Sequence, residues 1–402
     1  MRFEHNGAYA SQGIRGVGKM TAHKTKKRGV IFSLLLVVLI TVAVGCAPGP
    51  KQREFITIGA LLPLTGKDSD EGLRALNGLM LAKKEINNSG GVMGKTLDIF
   101  VLNDRGDEEH IIQQYNALKT KNVAAIIGSS YSDATMALAL AAEKDGIPVI
   151  TPTASNSEIT KGRRNIFRAI FVDDYQAEAM AKFAHDQFSA KTAVILENGN
   201  SSSFMRTAQV FGESFRNNGG KIIAVERYFN ENDFPFILSR YAANPPDVFY
   251  CPENYIAAVA LINASYEQKL VNTPLLGTDS WDGILAFSIH PGAMKNVFYT
   301  APFLFDDQDE DVMRFVRNYF HTFSQMPLSG SATAYTCLYI LAEAINKAGN
   351  TKADDIITAI KTNELDMITG RIKFDENNNP RTNIYIISIS SGVYSIFEKL
   401  NL

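Results

Sequence analysis

The stretch Val123-Ala124-Ala125-Ile126-Ile127-Gly128-Ser129-Ser130-Tyr131-Ser132-Asp133 decides the fold. Five apolar residues end in a glycine and a run of hydroxyls, and an Ala-rich helical pattern over 132–144 begins at once. A short strand with no polar alternation is buried on both faces. A strand that hands directly to a helix opens a βαβ unit, the building block of parallel sheets.

The same alternation extends in both directions. Upstream, strands are expected over 55–62 and 97–102, with helices over 73–88 and 109–121. Downstream, strands are expected over 148–151, 192–196, 221–228, 247–250 and 274–277. The helices between them fall over 175–188, 204–217, 235–243 and 255–268. This series is too long for one sheet, and a seam falls near 167–174. The spacing therefore predicts an α/β protein with two doubly wound parallel-sheet lobes. The last hundred residues break the pattern, with helices over 309–323, 331–348 and 354–361 and strands over 371–374 and 383–389. They read as a chain crossing back between lobes.

The chain has 402 residues, long enough for two such cores. Its formal net charge of −2 conceals an asymmetry. Residues 1–45 hold seven of the 40 basic groups and one of the 42 acidic ones, so the remainder carries 33 against 41, a net −8. An acidic body argues against nucleic acid as a partner. The basic run Lys24-Thr25-Lys26-Lys27-Arg28 precedes a mostly apolar segment over 30–44, the plan of a secretory signal. That segment falls short of the roughly 20 residues a spanning helix needs. Ala43-Val44-Gly45-Cys46 resembles a bacterial lipobox, although Ala43 stands where Leu is usual. The expectation is a signal peptide over 1–45 with a true start at Met20, lipid on Cys46, and a flexible tether over 46–53.

Several motifs resemble catalytic ones. Ser89-Gly90-Gly91-Val92-Met93-Gly94-Lys95-Thr96 nearly matches a phosphate-binding loop, but Ser89 replaces the first glycine. The segment also closes a helix where a P-loop would open one. The six His are scattered, and no nucleophile elbow or zinc pair occurs. Acidic clusters at Asp104, Asp107, Glu108 and Glu109 and at Asp306, Asp307, Asp309, Glu310 and Asp311 precede helices, where carboxylates favour the positive dipole end. No enzyme activity, metal or cofactor is expected.

In open α/β sheets, ligands bind beyond the carboxyl ends of strands. Two such ends in the first lobe are rich in hydroxyls, Gly128 to Asp133 and Thr151-Pro152-Thr153-Ala154-Ser155-Asn156. They suit an anion such as a carboxylate. A third, in the second lobe, is Thr278-Asp279-Ser280-Trp281-Asp282, with an acid and the only Trp of the chain. Helix capping explains each loop singly; the complementary pair suggests a shared polar site.

At these residues a family becomes recognisable. Ile58 to Gly66 (Ile-Gly-Ala-Leu-Leu-Pro-Leu-Thr-Gly), Asn87 to Gly94, Ile126 to Ser132, Gly146 to Ser155, Gly277-Thr278-Asp279 and Phe374-Asp375-Glu376-Asn377 resemble the periplasmic leucine/isoleucine/valine-binding proteins. These are type I solute receptors of ABC transporters, and the resemblance covers about 54–395. It implies two α/β lobes joined by a three-stranded hinge and closing on a ligand. The first lobe would comprise 54–170 and about 303–365, the second 171–302 and about 366–402.

The resemblance implies that Ser132, Thr153 and Ser155 hold a ligand carboxylate and ammonium. Asp279 would pair with the α-ammonium, with Tyr131 and Trp281 packing on the ligand side chain. Two positions depart from the family. Ser202-Ser203 stands where Tyr-Gly is usual, and Glu253 replaces an aromatic, which points to a smaller, more polar or cationic ligand. Cys251 and Cys337 would lie in different lobes and stay free. The expected function is a lipid-anchored extracytoplasmic receptor delivering an amino acid or similar small solute to ABC permease subunits. A sensor of the same fold signalling to a partner protein is the alternative.

Overall fold

The computed structural model of the chain describes residues 54–66 and 69–401. Met20, the basic run, the apolar segment, Cys46 and the tether lie outside the described residues.

The first sheet holds β1 (Phe55–Leu62), β2 (Thr96–Asn103), β3 (Ile126–Ile127), β4 (Val149–Thr151) and β5 (Ile166–Arg168). All are parallel, in the order β2-β1-β3-β4-β5. β3 is shorter than the expected 123–127. Its approach still runs beside β1, because Ala124 N–H donates to Thr57 O and Gly59 N–H to Ala125 O. One face packs under α1 (Ser69–Asn88), the other under α2 (Glu108–Lys119) and α3 (Ser132–Asp145). Asp107 caps α2 by accepting the His110 N–H at 2.7 Å, so this acidic cluster serves a helix start. The Gly-rich 89–95 segment closes α1 and turns, through a Val92–Lys95 bridge, into β2.

The second sheet has the order β15-β14-β10-β9-β8-β6-β7. It is built from β6 (Thr192–Asn198), β7 (Lys221–Tyr228), β8 (Val248–Tyr250), β9 (Leu275–Gly277), β10 (Val297–Ala301), β14 (Asn383–Ser390) and β15 (Val393–Asn401). Five strands are parallel; β14 and β15 form an antiparallel hairpin that pairs antiparallel with β10, so this lobe's sheet is mixed. α4 (Asp173–Phe188) and α5 (Ser202–Asn217) cover one face. α6 (Phe234–Ser239) and α7 (Tyr255–Glu267) cover the other. Edge strand β7 alternates exposed and half-buried residues, while central β8 and β9 are buried throughout. The expected helix over 235–243 is shorter, ending at Ser239.

After β10 the chain returns to the first lobe as α8 (Glu310–Phe323), α9 (Ser329–Ala348) and α10 (Ala353–Thr362), which share a core with α1. The chain passes between the two sheets three times: over 169–172, over 302–309, and over 363–382. The third passage contains a separate small sheet of β11 (Glu364–Met367), β12 (Gly370–Phe374) and β13 (Pro380–Arg381). Leu365, Met367, Ile368, Ile372 and Phe374 pack on the α1/α9 core. This segment therefore sits with the first lobe, where the sequence reading assigned residues from 366 onward to the second. Its apolar side chains follow the hydrophobic face offered by α9 and α10. Cys251 and Cys337 are buried, unpaired, and lie in different cores.

Candidate functional site

A cleft of about 380 Å³ opens where strand ends of the two sheets face each other. From the first lobe come Ser130, Tyr131, Ser132, Thr153 and Ser155; from the second, Asp279, Ser280 and Asp282.

Hydrogen bonds tie the first-lobe loops to one another. β3 is followed by Gly128, whose φ of +137° and the closeness of Leu61 O, 2.1 Å from where a Cβ would stand, admit only glycine. The Ser129 carbonyl accepts from Thr151 Oγ1 at 2.6 Å and from Thr135 Oγ1 at 3.1 Å, and the Ser130 carbonyl accepts from Thr153 Oγ1 at 2.9 Å. Below them, the buried Arg168 guanidinium donates to Ala154 O at 2.8 Å and to Asn156 O at 2.7 Å. Burial pushes that guanidinium down to about 10. Ser132 opens α3, and its preceding residue, Tyr131, provides no side-chain cap. The positive end of α3 thus faces the cleft without the usual capping acceptor. Ser130 is 4% exposed and its hydroxyl has no hydrogen-bond partner among the described residues. Together these groups have the chemistry that suits an anion such as a carboxylate.

Across the cleft, Asp279 follows β9. Gln176 Nε2 donates to its Oδ1 at 2.7 Å and also to Asp173 Oδ1 at 2.8 Å. The Asp279 carboxyl is pushed up to about 8, first by burial and then by the negative charge of Asp173, with Glu71 and Asp282 adding to it. Asp173, Glu71 and Asp282 are themselves raised, each chiefly by burial. A cation brought among these carboxyls would be strongly favoured. Asp173 also joins the lobes: its N–H donates to Ser155 O at 3.0 Å.

Of the residues singled out from sequence, Tyr131, Ser132, Thr153, Ser155 and Asp279 line this cleft. Three do not. Trp281 is fully buried, its ring lying where a Cβ on Gly277 would stand, 2.2 Å away, so it belongs to the second-lobe core. Ser202 is exposed as the first residue of α5, and its neighbours Ser201 and Ser203 line the cleft instead. Glu253 is 1% exposed and bonded to Tyr228 Oη at 2.9 Å and to Asn198 Nδ2, so it fills the core behind the wall. Burial raises its carboxyl.

Further lining residues escaped the sequence reading: Glu71 at the start of α1, Asp173 on α4, Phe204, Tyr255, and Ser329 and Gly330 at the start of α9. Phe204 and Tyr255, which stacks on Phe287 at 5.1 Å, give the cleft aromatic walls two residues beyond Ser202 and Glu253 respectively.

The family profile of the periplasmic binding proteins fits residues 56–393. The chain belongs to this family. Among periplasmic binding proteins, it is 24% identical over 344 residues to the leucine-, isoleucine-, valine-, threonine- and alanine-binding protein of Pseudomonas aeruginosa, covering 83% of this chain and 89% of that one. In fold it is similar to the branched-chain amino acid transporter substrate-binding protein LivJ of Streptococcus pneumoniae, solved with isoleucine (TM-score 0.80, 23% identity, 87% of this chain and 100% of that chain). It is also similar to an ABC-transporter solute-binding protein of Rhodopseudomonas palustris solved with 3,4-dihydroxybenzoic acid (TM-score 0.78, 23% identity, 86% and 97%). The shared fold therefore does not fix the ligand. A periplasmic binding protein works outside the cytoplasm.

Proposed function

We propose that this chain captures an α-amino acid between two closing lobes and presents the closed form to an ABC permease. The observation that carries the reading is the opposition of two unlike groups across one cleft. The uncapped start of α3 with Ser130, Ser132, Thr153 and Ser155 suits the ligand carboxylate; Asp279, held by Gln176, suits its ammonium. The relative that binds leucine, isoleucine, valine, threonine and alanine, and the similar fold solved with isoleucine, support an amino acid as the class.

The lobes would comprise 54–170 with about 303–374, and 171–302 with the chain from 383 onward. Each offers half of the polar groups, so a ligand satisfies both only when they approach. That differential affinity drives closure without any bond being made or broken. Lipid on Cys46 and the tether over 46–53 would hold the receptor at the membrane, with a secretory signal removed at Cys46.

A thermal-shift screen of the purified protein against amino acids, aromatic acids and nucleosides tests this. Stabilisation by amino acids is expected, about 2.7 kcal/mol at a hundredfold excess over Kd. Stabilisation by another class alone would overturn the assignment.

A further inference from the structure

The α-ammonium of a neutral amino acid answers one carboxylate, yet the cleft presents more. Glu71, Asp133, Asp173, Asp279 and Asp282 all line it, and no described Lys, Arg or His does. Asp133 is exposed at its rim. Asp173 and Asp279 share Gln176 and form the ammonium end. Glu71 and Asp282 remain, one from each lobe.

Their placement is built rather than incidental. Glu71 occupies space that exists because residue 330 is glycine: a Cβ there would stand 2.1 Å from Glu71 Oε1. Asp282 Oδ2 accepts the Ser329 N–H at 2.7 Å, linking the second lobe to the start of α9 in the first. Tyr299 Oη reaches its other oxygen at 3.4 Å. Arg74 lies behind this pair, outside the lining, with its guanidinium 3.8 Å from Glu71 and 3.6 Å from Asp70. One guanidinium is thus shared among Glu71, Asp70 and Asp282. The buried Ser130 hydroxyl, which has no hydrogen-bond partner among the described residues, lines the same cleft and suits a polar ligand.

We propose that the ligand is an α-amino acid whose side chain ends in a second cation, held between Glu71 and Asp282 while Asp279 takes the α-ammonium. This rests on the amino-acid reading above and adds the side-chain class to it. An aliphatic side chain would close Glu71 and Asp282 against apolar surface, an unfavourable burial of charge. A side-chain ammonium or guanidinium replaces that cost with charge-assisted hydrogen bonds from both lobes, so the second cation also favours the closed form.

Isothermal titration calorimetry of the purified protein with L-lysine, L-ornithine and L-arginine, against L-norleucine and L-leucine, tests this. Norleucine is lysine without its ε-ammonium, so the comparison needs no variant. Lysine or one of the other two is expected to bind roughly 30-fold or more tighter than norleucine. In Glu71→Gln/Asp282→Asn, which keeps the size of both side chains and the Ser329 N–H acceptor, that preference should collapse. Neutral amino acids binding as tightly as all three basic ones, or a preference untouched by the double substitution, would overturn this inference and leave the amino-acid receptor standing. Binding of no α-amino acid at all would overturn both.

Discussion

Gln176 holds Asp279 at two points: its Nε2 donates to Asp279 Oδ1 at 2.7 Å, and its Oε1 accepts the Asp279 backbone N–H at 3.0 Å. Gln176 is 1% exposed, and Thr300 Oγ1 also donates to its Oε1. One amide from α4 therefore fixes the carboxylate after β9 and holds it beside Asp173. Gln176→Leu should leave Asp279, Asp173 and Thr300 each short of a partner, costing about 1–3 kcal/mol in chemical denaturation. Amino-acid affinity in the folded protein should fall at least tenfold. Unchanged affinity would show that Gln176 does not position the acid.

Asp279→Asn should separate stability from function. The carboxyl is raised from 3.8 to about 8 in the folded protein, so its contribution to stability is full below about pH 4 and is lost as pH rises towards 8. Removing it should stabilise the ligand-free protein at pH 8 by about 0.5–2 kcal/mol, read from urea midpoints, while weakening amino-acid binding. A less stable variant at pH 8 would contradict the electrostatic account.

The same group makes binding pH-dependent. Below about 8 the Asp279 carboxyl is largely protonated in the empty cleft, under the combined influence of burial, Asp173, Glu71 and Asp282, and opposed by the Gln176 hydrogen bond. A ligand ammonium pairs with the ionised form, so binding near pH 7 should release up to about one proton. Affinity should fall by up to about tenfold per pH unit as pH drops. Calorimetry in buffers of different ionisation enthalpy measures the proton count; no release, or uptake, would refute it.

Trp281→Ala tests the core assignment of that residue. Loss of a fully buried indole against Gly277 should cost about 3–5 kcal/mol. Ligand affinity of the folded fraction should change little, because the ring does not line the cleft. A large affinity loss without a stability loss would return Trp281 to the site.

Much of this was legible in the sequence because strand-to-helix handovers carry strong local patterns. The hydroxyl loops at Ser130 to Ser132 and Thr153 to Ser155, and Asp279, are each a strand end visible as such. β5 and β10 were not read as strands: Ile166–Arg168 is three residues long, and Val297–Ala301 follows irregular 3₁₀ turns that mask its start. Glu71, Asp173 and Ser329 belong to the site through helix starts that the fold brings together from distant stretches, which no local spacing reveals. A signal for Glu71 did exist, in the acidic first turn of α1, yet it reads as ordinary helix-dipole compensation. Glu253 and Trp281 misled because strand-end position alone does not say which way a side chain turns. Glu253 turns inward because Asn198 and Tyr228 satisfy it there.

The central claim is that Asp279 reads an α-ammonium opposite a carboxylate seat. The most direct measurement is calorimetry comparing the tightest-binding L-amino acid with the same molecule lacking its α-amino group, on the wild type and on Asp279→Ala. The account predicts that removing the amino group costs at least roughly 30-fold on the wild type, and little more than the substitution already costs on the variant. Equal binding of the two compounds by the wild type, or a variant that still discriminates them fully, would contradict it.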